Sequence, residues 1–416
     1  LANTLELSGK FRTGEIKHTY MGGYSFVALN RTSYSGYNLG DDVQGPGLYS
    51  HVSVYDPHSM GYMTSKFSKA TVTHHYSNSL YLQDMVEFNE QWKVLAALRY
   101  DFFRYMSASA TTPTGRREYE EHSSFNMIKN KALTYRFGAV YLPHPNTSIY
   151  ASFASFFKPI RTFYQDNVIY VGGDGNRFEP ARNEEVFKPE KGYQAEVGLN
   201  QLNNILSANA SLFYIRKMNS TATLTNNYQE EVNGETTTMS VIGQVGVQDS
   251  KGFDFDVTLS PVSTLALTIG YGLNDSKIRE MKEIKDPELI EAIYGNNPDE
   301  TKQQLNSQEG NWQSNVPNQT FYAYGSYTIP RGVLKNLEFH LSSSYTGKVY
   351  RNTSNNSWFD PYWVTDFGMS YLLNNNIHLT FNLNNLFDNN YYNQALGQQM
   401  VPSMPRNFQV AISYTL

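Results

Sequence analysis

The sequence predicts an all-β fold, a transmembrane antiparallel β-barrel, and three observations carry that expectation. Apolar and polar residues alternate with a period of two along nearly the whole chain of 416 residues. Short and long connections between the alternating segments follow one another in turn. No stretch approaches the roughly 18 to 20 apolar residues that a membrane helix needs. Yet 32 Tyr, 24 Phe and 29 Gly enrich a chain whose mean hydropathy is −0.50. An α-helical membrane protein is excluded, and the apolar material is dispersed into alternation.

Fifteen strands are expected, near 4–12, 16–30, 71–88, 92–106, 132–142, 147–157, 190–201, 205–220, 239–260, 263–277, 319–329, 335–348, 361–373, 376–385 and 406–416. In the fifth, Leu133, Tyr135, Phe137, Ala139 and Tyr141 share a face; in the sixth, Ile149, Ala151 and Phe153 do so. Tyr193, Ala195, Val197 and Leu199 follow, then Leu206, Ala208, Ala210, Leu212 and Tyr214. Leu265, Leu267, Ile269, Tyr271 and Leu273 repeat the pattern, as do Ile377, Leu379, Phe381 and Leu383. The last segment, "NFQVAISYTL", puts Phe408, Val410, Ile412, Tyr414 and Leu416 on one parity and Gln409, Ala411, Ser413 and Thr415 on the other.

The connections sort by length. "RTGE", "FNEQ", "LPHPNT", "QLNN", "SPVS", "PRGV" and "LNNN" make tight turns, whereas 31–70, 107–131, 158–189, 221–238, 278–318, 349–360 and 386–405 are long and polar. A transmembrane barrel has this asymmetry, with short periplasmic turns, long extracellular loops, and strands that alternate apolar-out and polar-in. A soluble sandwich gives no reason for it. The final alternation then reads as a closing strand with its even residues on lipid. Its backbone must pair, because hydrocarbon offers no water to bond.

A net charge of −5 leaves no footprint for a polyanion, so nucleic acid is not an expected partner. The absence of Cys suits an envelope compartment. Residue 1 opens on "LANTLELSGKF" with no basic and apolar leader, so a signal peptide has been removed or the N-terminus lies elsewhere.

An ordered series of segments resembles the C-terminal barrel portion of TonB-dependent outer-membrane receptors. It comprises "SLYLQDMVEFNEQWKVLAALRYDFFRY", "LTYRFGAVYLPHPNTSIYASFASFFKP", "KPEKGYQAEVGLN", "SKGFDFDVTLSP", "VPNQTFYAY", "FNLNNLFDNNYY" and "MPRNFQVAISYTL". The resemblance runs from 79 to 416 and implies a cell outer-membrane location in a Gram-negative bacterium. It also implies an N-terminal plug and a 22-stranded barrel, and neither a TonB box nor a plug-like segment is found here. Residues 1–416 are therefore expected to be a partial barrel of about fifteen strands. The plug and first strands would come from further N-terminal sequence or a companion chain. A further strand in "LYSHVSVYD" would instead make sixteen, enough for a complete porin. The chain ends in Leu416, where such receptors usually end in an aromatic residue.

No nucleophile elbow, His-Glu-x-x-His or phosphate loop is present, so no catalytic residue, cofactor or enzyme activity is expected. The long connections carry aromatic and cationic residues suited to an anionic iron chelate: Tyr34, Tyr37, Arg116, Arg117, Arg161, Phe163, Tyr164, Arg177, Trp312, Tyr350, Arg351 and Trp358. Rings supply apolar contact at low entropy cost, and guanidinium groups pair with carboxylate or catecholate oxygens. The competing reading places such aromatics in the interfacial girdle and the Arg residues on lipopolysaccharide phosphates. Tyr49, Tyr170, Arg182 and Phe359 share this composition. His74 and His75, with His51, His58 and His122, would matter only for haem. Asp41, Asp42 and Asp174 lack the spacing of a Ca²⁺ loop.

The resemblance implies an importer of a ferric siderophore, with this chain as barrel wall and ligand-binding loops, energised by the TonB-ExbB-ExbD complex through the plug. Haem or cobalamin uptake, and a passive porin, are the alternatives.

Overall fold

The computed structural model describes residues 1–39, 64–110, 126–161, 167–180, 186–232, 234–281, 284–294, 308–374, 376–396 and 399–415. Six strands open the chain in antiparallel order: β1 (Ala2–Thr13), β2 (Ile16–Leu39), β3 (Thr64–Glu87), β4 (Trp92–Ala110), β5 (Asn126–His144) and β6 (Thr147–Lys158). The short β7 (Val168–Val171) and β8 (Arg177–Phe178) interrupt them. The meander resumes with β9 (Glu190–Leu202), β10 (Leu206–Val232), β11 (Glu235–Val262) and β12 (Leu265–Met281). It passes a short helix, α1 (Pro287–Tyr294), to β13 (Gln319–Thr328) and β14 (Leu337–Thr346). Two small hairpins, β15 (Val349–Tyr350) with β16 (Trp358–Phe359) and β19 (Tyr392–Leu396) with β20 (Gln399–Pro402), flank β17 (Tyr362–Leu372) and β18 (Ile377–Asn384). The described chain closes on β21 (Asn407–Tyr414), which pairs with β18.

Setting β7 and β8 aside, the 17-stranded sheet is the meander of fifteen strands expected from the alternation. The tight turns fall where "RTGE", "FNEQ" and "SPVS" stand, and Gly14 takes a φ of +64° that a side chain would resist. The long connections are shorter than expected because strands invade them. β10 and β11 continue as one hairpin of 27 and 28 residues through the stretch 221–238. β2 and β3 run 24 residues each, well beyond the roughly 9 to 11 that cross a bilayer. These strands therefore extend beyond the membrane on the side of the long connections. The proposed extra strand at 48–56 lies outside the described residues.

Register fixes the two faces. Leu5 opposes Tyr24, Tyr24 opposes Leu80, Leu80 opposes Tyr100 and Tyr100 opposes Leu133, so one parity of each strand forms a single outward surface. That surface is apolar and uncovered: Leu7 is 69% exposed, Leu80 61% and Ile412 72%. Water would not tolerate a continuous patch of this extent, whereas hydrocarbon covers it. Within it the rings of Tyr135, Phe153, Tyr193 and Tyr214 follow one another across four strands, at centroid separations of 6.1, 5.7 and 6.1 Å. They form an aromatic belt on that surface.

The buried apolar core lies elsewhere, outside the membrane band. Ile169, Val171, Tyr228, Met239, Val241, Ile278, Met281, Ile284 and Leu289 pack together where β7 runs parallel to β11 and α1 leans on the extended hairpin. A second cluster joins Ile160, Tyr170, Val186 and Phe187. The extracellular side is thus a packed body.

Among the described residues β1 pairs only with β2, and β21 only with β18. Among the described residues neither outer edge has a partner, and the sixteenth strand that a porin would need falls outside them.

Candidate functional site

On the inner face the polar parity builds a hydrogen-bonded wall. Arg99 Nε donates to both oxygens of Asp101 at 3.0 Å, and Arg99 Nη2 donates to Ser79 Oγ at 2.7 Å. Ser79 Oγ donates to Asp101 Oδ1 at 2.6 Å, closing a triangle around a carboxylate that is 7% exposed. Tyr81 donates to Glu6, and Tyr150 to Glu196, at 2.6 and 2.5 Å; Tyr322 donates to Asp256. Charge-assisted bonds of this kind make the wall rigid and leave its carboxylates satisfied.

Four of the twelve ligand candidates meet at one extracellular place. In β15 and β16, Tyr350 stands directly opposite Trp358, with ring centroids 6.4 Å apart and nearly perpendicular. Lys348 reaches over both rings, its Nζ 4.6 Å from the Tyr350 centroid and 3.8 Å from that of Trp358. Arg351 lies 5.5 Å over Phe359, donates from its backbone to Ser357 at 2.9 Å, and donates from Nη1 to Ser357 Oγ at 3.1 Å. Its Nε has no hydrogen-bond partner. Trp312 is clamped alongside by the amide of Asn355, whose Oδ1 accepts from Trp312 N at 2.6 Å and whose Nδ2 donates to Trp312 O at 2.9 Å. Asn355 takes a φ of 55°, which Asn tolerates better than other side chains. Lys277 sits 4.8 Å over the Trp312 ring.

The patch therefore holds two cations, Lys348 and Lys277, against aromatic faces beside the Arg351 guanidinium. Its chemistry matches that of a planar, anionic, hydrogen-bond-accepting molecule. Sequence reasoning missed Lys348, Lys277 and Asn355, although "GKVYRN" places Lys348 two residues before Tyr350 and so on the same parity. It also missed Tyr391, which stacks on Tyr362 at 4.1 Å.

The remaining candidates are dispersed. Arg177 Nη2 is committed to Glu230 at 2.8 and 3.2 Å. Arg161 stacks on Phe103 and Tyr105 at 5.9 and 5.1 Å. Tyr34 stands exposed near the top of β2. Tyr37 belongs to β2 by its backbone. Arg116, Arg117, Phe163 and Tyr164 lie outside the described residues, as do Tyr49, Arg182, His51, His58, His122, Asp41 and Asp42. Tyr170 is buried in the second apolar cluster and Phe359 stacks on Tyr392 at 5.6 Å.

His74 and His75 are neighbours in β3 and so project to opposite faces. His74 Nδ1 bonds Asn30 Oδ1 at 2.8 Å outside, while the His75 ring packs 4.5 Å from Phe103 inside. They do not form a joint ligand pair. The Asp174 carboxyl is held below its usual range by the Asn176 side chain, which donates to it at 2.8 Å, and by the Asn176 backbone. Among the described residues no group of three or more His, Asp or Glu converges as a metal site.

The family model for the TonB dependent receptor-like β-barrel matches residues 1–386. The probable TonB-dependent siderophore receptor PiuA of Acinetobacter baumannii is 26% identical over 412 residues, covering 94% of this chain and 49% of that protein. The ferrichrome outer membrane transporter/phage receptor of Escherichia coli K12 is 24% identical over 403 residues, covering 93% of this chain and 44% of its own length. The chain thus spans about half the length of the curated relatives it matches. Among solved structures, that of the Acinetobacter baumannii siderophore receptor PiuA superposes with a TM-score of 0.70 at 22% identity, over 99% of this chain and 55% of that one. The ferric-catecholate import receptor Fiu of Escherichia coli K12, in its closed form, gives 0.69 at 18%, over 99% and 54%. With the alternating faces, the aromatic belt and the match over most of its length, the chain belongs to the TonB-dependent receptor-like β-barrel family of the Gram-negative outer membrane.

Proposed function

We propose that this chain forms barrel wall and extracellular recognition surface of a TonB-dependent importer for a ferric siderophore. The observation that carries the reading is the patch of Lys348, Tyr350, Arg351, Trp358 and Trp312, where cations rest on aromatic faces. A ferric catecholate or related chelate is anionic, ringed and rich in accepting oxygens, and would meet each of those features. The relatives named as siderophore receptors support the same ligand class.

In this proposal the working receptor contains more than these strands. The outer edges of β1 and β21 would pair with further wall, and a plug inside it would couple to the TonB-ExbB-ExbD complex. The step asked of the patch is binding followed by release into the lumen, which breaks no covalent bond, so no catalytic residue is assigned.

The test is titration of the membrane-extracted receptor with ferric chelates, followed by Trp fluorescence, beside iron-dependent growth. Arg351→Gln combined with Lys348→Gln should weaken a ferric siderophore about ten- to a hundred-fold, as expected for loss of charged hydrogen bonds. Trp358→Ala should weaken it less. Unchanged affinity in both variants, across catecholate, hydroxamate and citrate chelates, would remove the patch from the ligand site.

A further inference from the structure

Above the apolar band the inner face of β3, β4 and β5 holds polar groups that the wall leaves unmatched. His75 stands opposite Tyr105, and Tyr105 opposite Ile128; one inward step below, Ser77, Phe103 and Asn130 form the next row. Counted from Glu87, His75 lies beyond the roughly 9 to 11 residues that cross a bilayer. His75 Nε2 is shielded from solvent and has no hydrogen-bond partner. Asn130 is 1% exposed, and neither its Oδ1 nor its Nδ2 finds a partner in the protein. An orphaned buried amide disfavours the arrangement that buries it.

The chain leaving β6 brings a cation to the same place. Arg161 lies 5.9 Å over the Phe103 ring and 5.1 Å over that of Tyr105, while the His75 ring packs 4.5 Å from Phe103. Guanidinium and imidazole thus share one aromatic partner. The charges around them are one-sided. β2 brings Arg31 to the inner parity, opposite Thr73, and β5 brings Ile128, Asn130 and Ala132. β4 brings Asp101, but Arg99 at 3.0 Å and Ser79 at 2.6 Å already hold that carboxylate. Lys158 is engaged with Glu190 at 3.3 Å. Among the described residues no carboxylate pairs with Arg161. Burial, and after it the Arg161 guanidinium, hold the His75 imidazole below its ordinary range, so the ring is neutral where the two lie side by side.

We propose that His75 and Arg161 form an acid-sensitive latch at the extracellular mouth of the barrel. When the imidazole takes a proton, two cations face one ring with no free carboxylate between them. Arg161 then leaves Phe103 and Tyr105, and Ile128 and Asn130 open to water. The covered arrangement binds fewer protons than the open one. Its advantage is therefore full above the ordinary imidazole value of about 6.5 and drains away as the pH falls below it. Hydration of the orphaned Asn130 amide favours opening as well. The latch needs no solute and stands apart from the patch around Tyr350 and Trp358.

The complete receptor in lipid nanodiscs, without ligand and with isoleucine δ1 methyls labelled, reports the latch by nuclear magnetic resonance. Ile128, 1% exposed, is the probe, and a soluble neutral nitroxide measures its contact with water. Relaxation of its methyl should be weak at about pH 7.5 and at least about five-fold stronger at about pH 5.5, across the range in which imidazole titrates. His75→Gln should stay weakly relaxed at both values. Arg161→Gln, a change at an exposed side chain, should give equal relaxation at both, and Arg161→Lys should restore the acid response. His74→Gln, on the outward parity, should behave as the unmodified protein. No acid response in the unmodified protein, or one that survives in His75→Gln or Arg161→Gln, would overturn the latch. Strong relaxation of His75→Gln at both values would make His75 a packing residue and overturn it too.

Discussion

At the residue scale, a few asparagines hold the extracellular ends in place. Asn385 is 4% exposed with a φ of 53°, and every polar group of its side chain is used. Its Nδ2 donates to Asn389 O at 2.9 Å and Met404 O at 3.2 Å, its Oδ1 accepts from Asn389 N at 2.9 Å, and its backbone N–H donates to Asp366 at 2.7 Å. Asn385→Ala orphans buried partners at a cost of about 1–3 kcal/mol and adds about 1–2 kcal/mol of left-handed strain. Urea unfolding into vesicles should show that loss, and Asn385→Gly should recover the strain component alone. Asn355 does the same work for Trp312, so Asn355→Ala should blunt siderophore affinity without lowering the unfolding midpoint of the barrel. An equal fall in both quantities would mean that Asn355 supports the wall and leaves the patch untouched. The Asn-Leu-Phe-Asp motif was legible in the sequence, whereas the Asn355 clamp was not, because its partner is 43 residues away.

At the scale of the element, the parity of β21 decides what each position tolerates. Phe408, Val410, Ile412 and Tyr414 lie opposite Leu383, Phe381, Leu379 and Ile377 on the lipid face, while Gln409 opposes Asn382 on the inner face. Val410→Lys places a charge in hydrocarbon and should cost about 2–4 kcal/mol, whereas Gln409→Lys should cost about 1 kcal/mol or less. Folding yield of the complete receptor into short-chain lipid vesicles, read by heat-modifiable mobility, separates the two; similar yields would mean that the assigned parity is wrong. The longer elements depart from expectation for a reason of the same kind. The stretch 221–238 is polar and reads as loop, yet Tyr228 and Met239 bury against Ile169 and Leu289, and that packing continues the ladder beyond the bilayer. Propensity within the segment does not contain its partner.

At the scale of the whole molecule, the two open edges dominate. Thr415 N donates to Asn376 O, so the alternate amides of β21, those of Phe408, Val410, Ile412 and Tyr414, point away from β18. Ala28 N donates to Leu1 O, which by the same alternation turns the amides of Thr4, Glu6 and Ser8 outward from β2. Each group left unpaired in hydrocarbon costs several kcal/mol. In receptor assembled in the outer membrane these seven amides should exchange as slowly as their in-strand neighbours. In the isolated chain they should exchange orders of magnitude faster, and no heat-modifiable barrel should form. A closed, conducting pore from this chain by itself would sink the importer and restore the porin.

How much was legible follows from the range of the forces. Strand number, inward and outward parity, and the alternation of tight turns with long connections are local properties, because side-chain direction repeats every two residues and hydrocarbon admits only the apolar parity. The sequence by itself therefore determined the barrel class, the fifteen strands and the side that carries the long connections. The tertiary structure alone decided which loop residues act together. Trp312, Tyr350, Arg351 and Trp358 converge while Arg161 and Arg177 are spent on Phe103, Tyr105 and Glu230, and His74 and His75 part to opposite faces. Those outcomes depend on register between strands and on packing across dozens of residues, and no period within a single segment encodes them.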